Sequence, residues 1–133
     1  MPYVDTWEPK GLVRKWSGFI TGAEFASAVQ RTAADARFGN LRYIISDFLD
    51  VLGHSIEERE MESVAASRIG SGYTNPKIRV ALITTDPSIA RLKDMIDSNM
   101  FRTPYETRVL ASVAEARDWL AVESPGQFQW RNP

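Results

Sequence analysis

The sequence predicts an α/β fold, a mixed sheet of about five strands with four helices in the order β-β-α-β-α-β-α-β-α. Three observations predict it. The runs Tyr43-Ile44-Ile45 and Val80-Ala81-Leu82-Ile83 are continuous, apolar and partly branched or aromatic, as strands covered on both faces are. Each is followed, after a polar junction, by apolar residues at helical spacing. Near the N-terminus, Pro9 and Gly11 mark a tight turn between two extended stretches, which adds an antiparallel hairpin to the parallel units.

The elements follow in order. Glu8-Pro9-Lys10-Gly11 carries the preferences of a type I turn, so residues 3–19 read as a β-hairpin. Thr21-Gly22-Ala23-Glu24 has capping-box spacing, with Ile20 and Phe25 placed as a hydrophobic staple. Phe25, Ala28, Val29, Thr32 and Ala36 then form a helical stripe that Gly39-Asn40 ends. Leu41 to Phe48 is the next strand, and Ser55-Ile56-Glu57-Glu58 reads as a second capping box in front of Met61, Val64, Ala65 and Ile69. Gly70-Ser71-Gly72 stops that helix. Ile78 to Thr84 is the most apolar strand. Asp86-Pro87 sets a cap before a first-turn proline, and Ile89, Leu92, Met95 and Ile96 supply the inner face of the third helix. Tyr105 to Leu110 is the last strand. Ser112-Val113-Ala114-Glu115 caps a final helix whose inner face is Val113, Ala116, Trp119 and Leu120. Successive strand-helix-strand units imply right-handed crossovers between parallel neighbours. Residues 1–133 read as one domain with a short tail over 122–133.

Composition limits the function. Hydrophobic residues make up 44% and charged residues 25% of the 133, the balance of a globular domain able to bury a core. The chain has no cysteine, which removes thiolate catalysis, zinc-cysteine sites and iron-sulfur ligation and suits a reducing cytoplasm. Sixteen Lys plus Arg stand against seventeen Asp plus Glu, with the signs interleaved, so the basic excess that nucleic-acid binding needs is missing. The opening residues do not form a signal peptide, and no apolar run reaches membrane-span length. The expectation is a cytoplasmic protein that binds no nucleic acid and spans no membrane.

The carboxyl ends of the parallel strands would gather Asp47, Asp50, His54, Thr85 and Asp86 into a rim pocket, where ligands of such sheets bind. Chemistry is harder to assign there. Asp47, Asp50 and His54 could ligate a metal, but a lone histidine among surface carboxylates is the ordinary composition of a loop, so no metal is expected. Acid-base catalysis by Asp47 and Asp50 would need environments that split their proton affinities. No nucleophile elbow, phosphate-binding glycine loop or dinucleotide fingerprint occurs, so neither an enzyme nor a cofactor is expected. Ser55 reads as a helix cap, and a phosphate at the same place would meet free helix amides, which makes it a candidate regulatory phosphosite. Met100, Phe101 and Tyr105, in an apolar stretch between the third helix and the last strand, and Phe128 with Trp130 in the tail, read as an interaction surface.

The strand Arg79-Val80-Ala81-Leu82-Ile83-Thr84-Thr85-Asp86 and the closing Val109-Leu110-Ala111-Ser112-Val113-Ala114-Glu115-Ala116-Arg117-Asp118-Trp119-Leu120, in this order of elements, resemble the SpoIIAA-like proteins. These are bacterial relatives of the sporulation anti-sigma-factor antagonist, with its sulfate-transporter/anti-sigma-antagonist fold. The resemblance covers roughly residues 10–121 and implies a mixed sheet with helices mainly on one face. In the antagonists a phosphorylatable serine lies at the start of the helix after the third strand. Ser55 takes the matching place, although Gly53-His54-Ser55-Ile56 replaces their Asp-Ser-Ser-Gly-type signature. The leading expectation is a non-enzymatic interaction or regulatory domain that binds a protein partner, first of all another copy of itself as a homodimer. The alternatives are a small-molecule or lipid carrier with Met100 to Tyr105 as lid, and an enzyme using Asp47, Asp50 or His54.

Overall fold

Each predicted element is found, in the predicted order, in a computed structural model that describes residues 2–72, 74–98 and 105–122. The strands and helices are β1 (Tyr3–Trp7), β2 (Gly11–Thr21), α1 (Gly22–Ala34), β3 (Tyr43–Ser55), α2 (Glu58–Gly72), β4 (Arg79–Ile83), α3 (Pro87–Ser98), β5 (Glu106–Leu110) and α4 (Val113–Ala121), with one 3-10 turn at Phe38–Asn40. The hairpin turn closes where Glu8 N–H donates to Gly11 O at 2.8 Å. Gly11 is required there because the Tyr43 ring lies against it: a Cβ would stand 2.0 Å from a ring carbon.

The caps do most of what their spacing predicts. Thr21 Oγ1 accepts Glu24 N–H at 3.1 Å while Glu24 Oε1 accepts Thr21 N–H at 3.0 Å, a complete capping box. Asp86 Oδ1 accepts Ser88 N–H at 2.9 Å at the start of α3. At α4 the box is only half formed. Ser112 Oγ accepts Glu115 N–H at 3.1 Å, but the Glu115 carboxylate takes the amide of Ala111, one residue before the cap.

The largest departure lies between β3 and α2. Residues 49–54, expected to cross the sheet rim as a loop, continue the strand, and Ser55 is its last residue rather than a helix cap. The start of α2 is held instead by Glu57, whose N–H donates to Glu60 Oε1 at 2.7 Å and whose carbonyl accepts the amides of Glu60 and Met61. The physical reason is the partner strand. β2 is long enough to pair β3 as far as Thr21 opposite Ser55, so backbone hydrogen bonds keep these residues extended. Two irregularities accommodate the unequal lengths, and Gly18, with φ of 70°, supplies the left-handed conformation at the second.

The sheet runs β1-β2-β3-β4-β5, with β1 antiparallel to β2 and the other neighbours parallel. α1, α2 and α3 cover one face: Trp16, Ile20, Phe48 and Leu82 of the strands are buried with Phe25, Ala28, Met61, Val64, Ile89 and Leu92 of the helices. α4 covers part of the other, where Ile45, Ala81 and Ile83 pack on Ala116 and Trp119. β4 is buried along its whole length, as its composition predicts. β3 outruns it, since β4 pairs β3 only from Tyr43 to Asp47. The ribbon made by Ser17–Thr21 and Asp50–Ser55 therefore extends past the rest of the sheet. Among the described residues, no helix is long and apolar enough to cross a membrane.

Candidate functional site

The rim residues are brought to one end of the sheet, and each is engaged locally. Asp47 is buried, and its Oδ1 accepts Leu49 N–H at 2.9 Å, which satisfies an amide where β4 has ended. Asp50 is exposed and ion-paired to Lys15 at 3.2 Å. His54 Nδ1 accepts Ile56 N–H at 3.1 Å, a turn that leads the chain out of β3. Thr85 is exposed, while its neighbour Thr84 accepts the Asp86 amide at 3.0 Å. The Asp86 carboxyl is held below its ordinary value, chiefly by the Ser88 amide, with a smaller contribution from the nearby His54. Among the described residues, no three His, Asp or Glu side chains are placed to hold a metal ion.

A cavity lies elsewhere, between the sheet and the layer of α1, α2 and α3. Its volume is about 60 Å³. Its floor includes Arg14, Trp16, Ile44, Ser46 and Leu82, its walls include Phe25, Met61 and Leu92, and Arg68, Lys93 and Tyr105 also line it. Asp47, Asp50, His54, Thr85 and Asp86 do not. Topology explains the separation. A rim crevice opens where neighbouring crossovers pass to opposite faces of a sheet, and here the strand order is sequential with α1, α2 and α3 all on one face.

The cavity residues carry a signal that the sequence reading missed. Leu12, Arg14 and Trp16 alternate along β2, and Ile44, Ser46 and Phe48 along β3, so Arg14 and Ser46 are the polar members of otherwise apolar faces. They stand directly opposite one another in the ladder. Arg14 is buried and answered by Asp5, at 2.7 Å to Nε and 2.9 Å to Nη2, by Thr32 Oγ1 at 2.8 Å and by the Ala28 carbonyl at 3.3 Å. Trp16 Nε1 is buried and has no hydrogen-bond partner among the described residues.

Of the predicted interaction surface, Met100, Phe101, Phe128 and Trp130 lie outside the described residues. Tyr105 is buried, with its hydroxyl 2.6 Å from Ser71 Oγ.

Glu8, Tyr43 and Arg117 make a further polar cluster on the α4 side. Arg117 donates to both Glu8 oxygens at 2.7 and 2.8 Å, and the Tyr43 hydroxyl also hydrogen-bonds Glu8. The Arg117 hydrogen bonds foremost, and Tyr43 next, lower the Glu8 carboxyl from 4.5 to about 2. The unfolded chain takes up this proton near pH 4.5 and the folded chain only near 2, so the stabilisation is complete above 4.5 and is lost as pH falls through that window. Glu8→Gln is expected to cost about 1 kcal/mol at pH 7, the scale of a solvent-accessible pair, and much less at pH 2. Urea unfolding of both proteins at the two pH values checks it.

No family model and no curated protein matches the chain. Solved structures do. The anti-sigma factor antagonist SpoIIAA in its unphosphorylated form superposes with a TM-score of 0.59 at 14% identity, covering 91% of this chain and 99% of that one. The Bacillus cell fate determinant SpoIIAA in its phosphorylated form gives 0.57 at 13% identity, over 89% and 98%. The chain has a SpoIIAA-like fold.

Proposed function

We propose that this chain is a non-enzymatic interaction domain that binds a protein, and that its first partner is a second copy of itself. The observation that carries the reading is the free end of the β2–β3 ribbon. Leu52 is 90% exposed and Phe19 60% exposed, and Leu49 beside them is also exposed. Among the described residues no strand pairs β3 on its β4 side beyond Asp47, and past Leu49, whose amide Asp47 takes, this backbone edge is where a strand could add. An exposed edge with apolar side chains invites such pairing, and two antiparallel copies related by a two-fold axis satisfy each other. SpoIIAA is itself an antagonist of a protein factor, and the shared scaffold is compatible with this class of role.

The rim groups support the non-enzymatic half of the reading: Asp47 is engaged with the backbone, Asp50 with Lys15 and His54 with the Ile56 amide, all in structural roles. The lack of cysteine suits a cytoplasmic setting. Ser55, exposed at the tip of the same ribbon, is where a kinase could act on the interface. A phosphate there would bring about two negative charges to the pairing edge and oppose it.

Sedimentation equilibrium tests the proposal. The wild-type protein is expected to be a dimer, and Leu52→Glu a monomer with an unchanged circular dichroism spectrum. A wild-type monomer up to the limit of solubility, or a Leu52→Glu protein that remains dimeric, would overturn it.

A further inference from the structure

We propose that His54 is a pH-operated latch on the junction between β3 and α2: neutral, its ring holds the Ile56 amide, and protonated it releases that amide and turns to Asp86. The latch does not depend on the self-association proposed above.

Three observations support it. The first is donor and acceptor chemistry. His54 Nδ1 accepts Ile56 N–H at 3.1 Å, so the neutral ring carries its proton on Nε2. An imidazolium has an N–H on both nitrogens and accepts nothing. Uptake of one proton, on Nδ1, therefore breaks this hydrogen bond, and no rotation of the charged ring restores it. His54 is the only histidine of the chain, and imidazole is the side chain whose ordinary change of charge falls between about pH 5 and 8.

The second is what the bond holds. Ile56 lies between the last residue of β3, Ser55, and the first of α2, Glu58. It is 6% exposed and belongs to the core under the helices with Trp16, Phe25 and Met61. On one side the chain is fixed by pairing with β2 as far as Ser55, and on the other by the Glu57 and Glu60 contacts that start α2. The Ile56 amide falls where these two systems meet, and its acceptor is a side chain that can change charge. Its release removes a tie between the sheet and α2 at a residue the core needs in place.

The third is the surroundings of the ring. Asp86, at the start of α3, lies near enough for the two charges to interact, with Arg91 of α3 beside it. Ile20, opposite His54 on β2, is apolar, and Glu57 and Glu58 follow on the same segment. Asp86 is exposed, and the Ser88 amide, 2.9 Å from its Oδ1, keeps it ionised. It therefore offers the charged ring a counter-ion in exchange for the amide it gives up.

The test records proton-nitrogen correlation spectra of the full chain from about pH 8 to 5, following the Ile56 amide and the His54 ring nitrogens. At the upper end Nδ1 should have the shift of an unprotonated nitrogen. The Ile56 amide should then move in step with the ring, and its protection from hydrogen exchange should fall about fivefold once the ring is charged. His54→Asn, whose side-chain oxygen accepts an amide two residues on and does not titrate, should hold Ile56 across the whole range. Asp86→Asn, which still caps α3, should lower the pH at which the amide is released. The proposal is overturned if the Ile56 amide ignores the titration of the ring, if Nδ1 carries the proton at the upper end, if His54→Asn shows the same release, or if Asp86→Asn leaves its midpoint unchanged.

Discussion

Asp5→Ala is expected to lower the unfolding free energy by about 3 kcal/mol, because it leaves the Arg14 guanidinium buried without its counter-ion. Asp5 accepts at 2.7 and 2.9 Å from Arg14. What remains after its removal is Thr32 Oγ1 and the Ala28 carbonyl, two neutral acceptors for a full positive charge. The Asp5 side chain is partly accessible, at 24%, so water relieves some of the penalty and the low end of the usual 3–5 kcal/mol range applies. In a domain of this size the loss corresponds to a fall of about 10 °C in melting temperature. Urea unfolding of the single variant and of Asp5→Leu with Arg14→Met checks it. The double variant, with neither charge, should recover most of the loss. A single variant within about 1 kcal/mol of wild type would mean that the pair is screened like a surface ion pair.

Arg79→Met should cost about 3 kcal/mol and loosen α4 from the sheet, since its guanidinium holds the end of that helix. Nη1 donates to the Val122 carbonyl at 2.6 Å and lies 3.5 Å from that of Leu120, and Nη2 donates to Trp119 O at 2.9 Å. These carbonyls belong to the last turn and the C-cap, where only Trp119 O takes a further amide, that of Val122 at 3.2 Å, and they carry the negative end of the helix dipole. The guanidinium carbon also sits 4.3 Å from the centroid of the Trp119 ring. Methionine keeps the packing of the stem and removes the donors. Glu106, 3.6 Å from Arg79 Nε and half-exposed, contributes little, so Glu106→Gln should stay within about 0.5 kcal/mol. Urea unfolding followed by tryptophan fluorescence separates these outcomes.

Much of the fold was legible because local rules govern it. The Glu8–Gly11 turn, the Thr21–Glu24 box and the Asp86-Pro87 start of α3 are set by residues within four positions of one another. The apolar run Val80 to Ile83 leaves a buried central strand as its natural reading. The reading failed at Ser55, where an equally good local signal lost to a long-range one. Ser-Ile-Glu-Glu spells a capping box, but pairing with β2 as far as Thr21 kept the residues extended and moved the helix start to Glu58. Arg14 escaped notice because its partners, Asp5 across the hairpin and Thr32 on α1, meet it only once both the hairpin register and the helix packing are in place.

By itself, then, the sequence determined which segments are strands and which are helices, their order and the α/β class, because periodicity, caps and turn residues act over a few positions. Only the tertiary structure decided where β3 ends, which polar residues are buried together, and that the cavity lies under the helices instead of at the rim. Those features depend on strand register, on the face each crossover takes and on how closely three helices close over a sheet, all set by residues far apart in the chain.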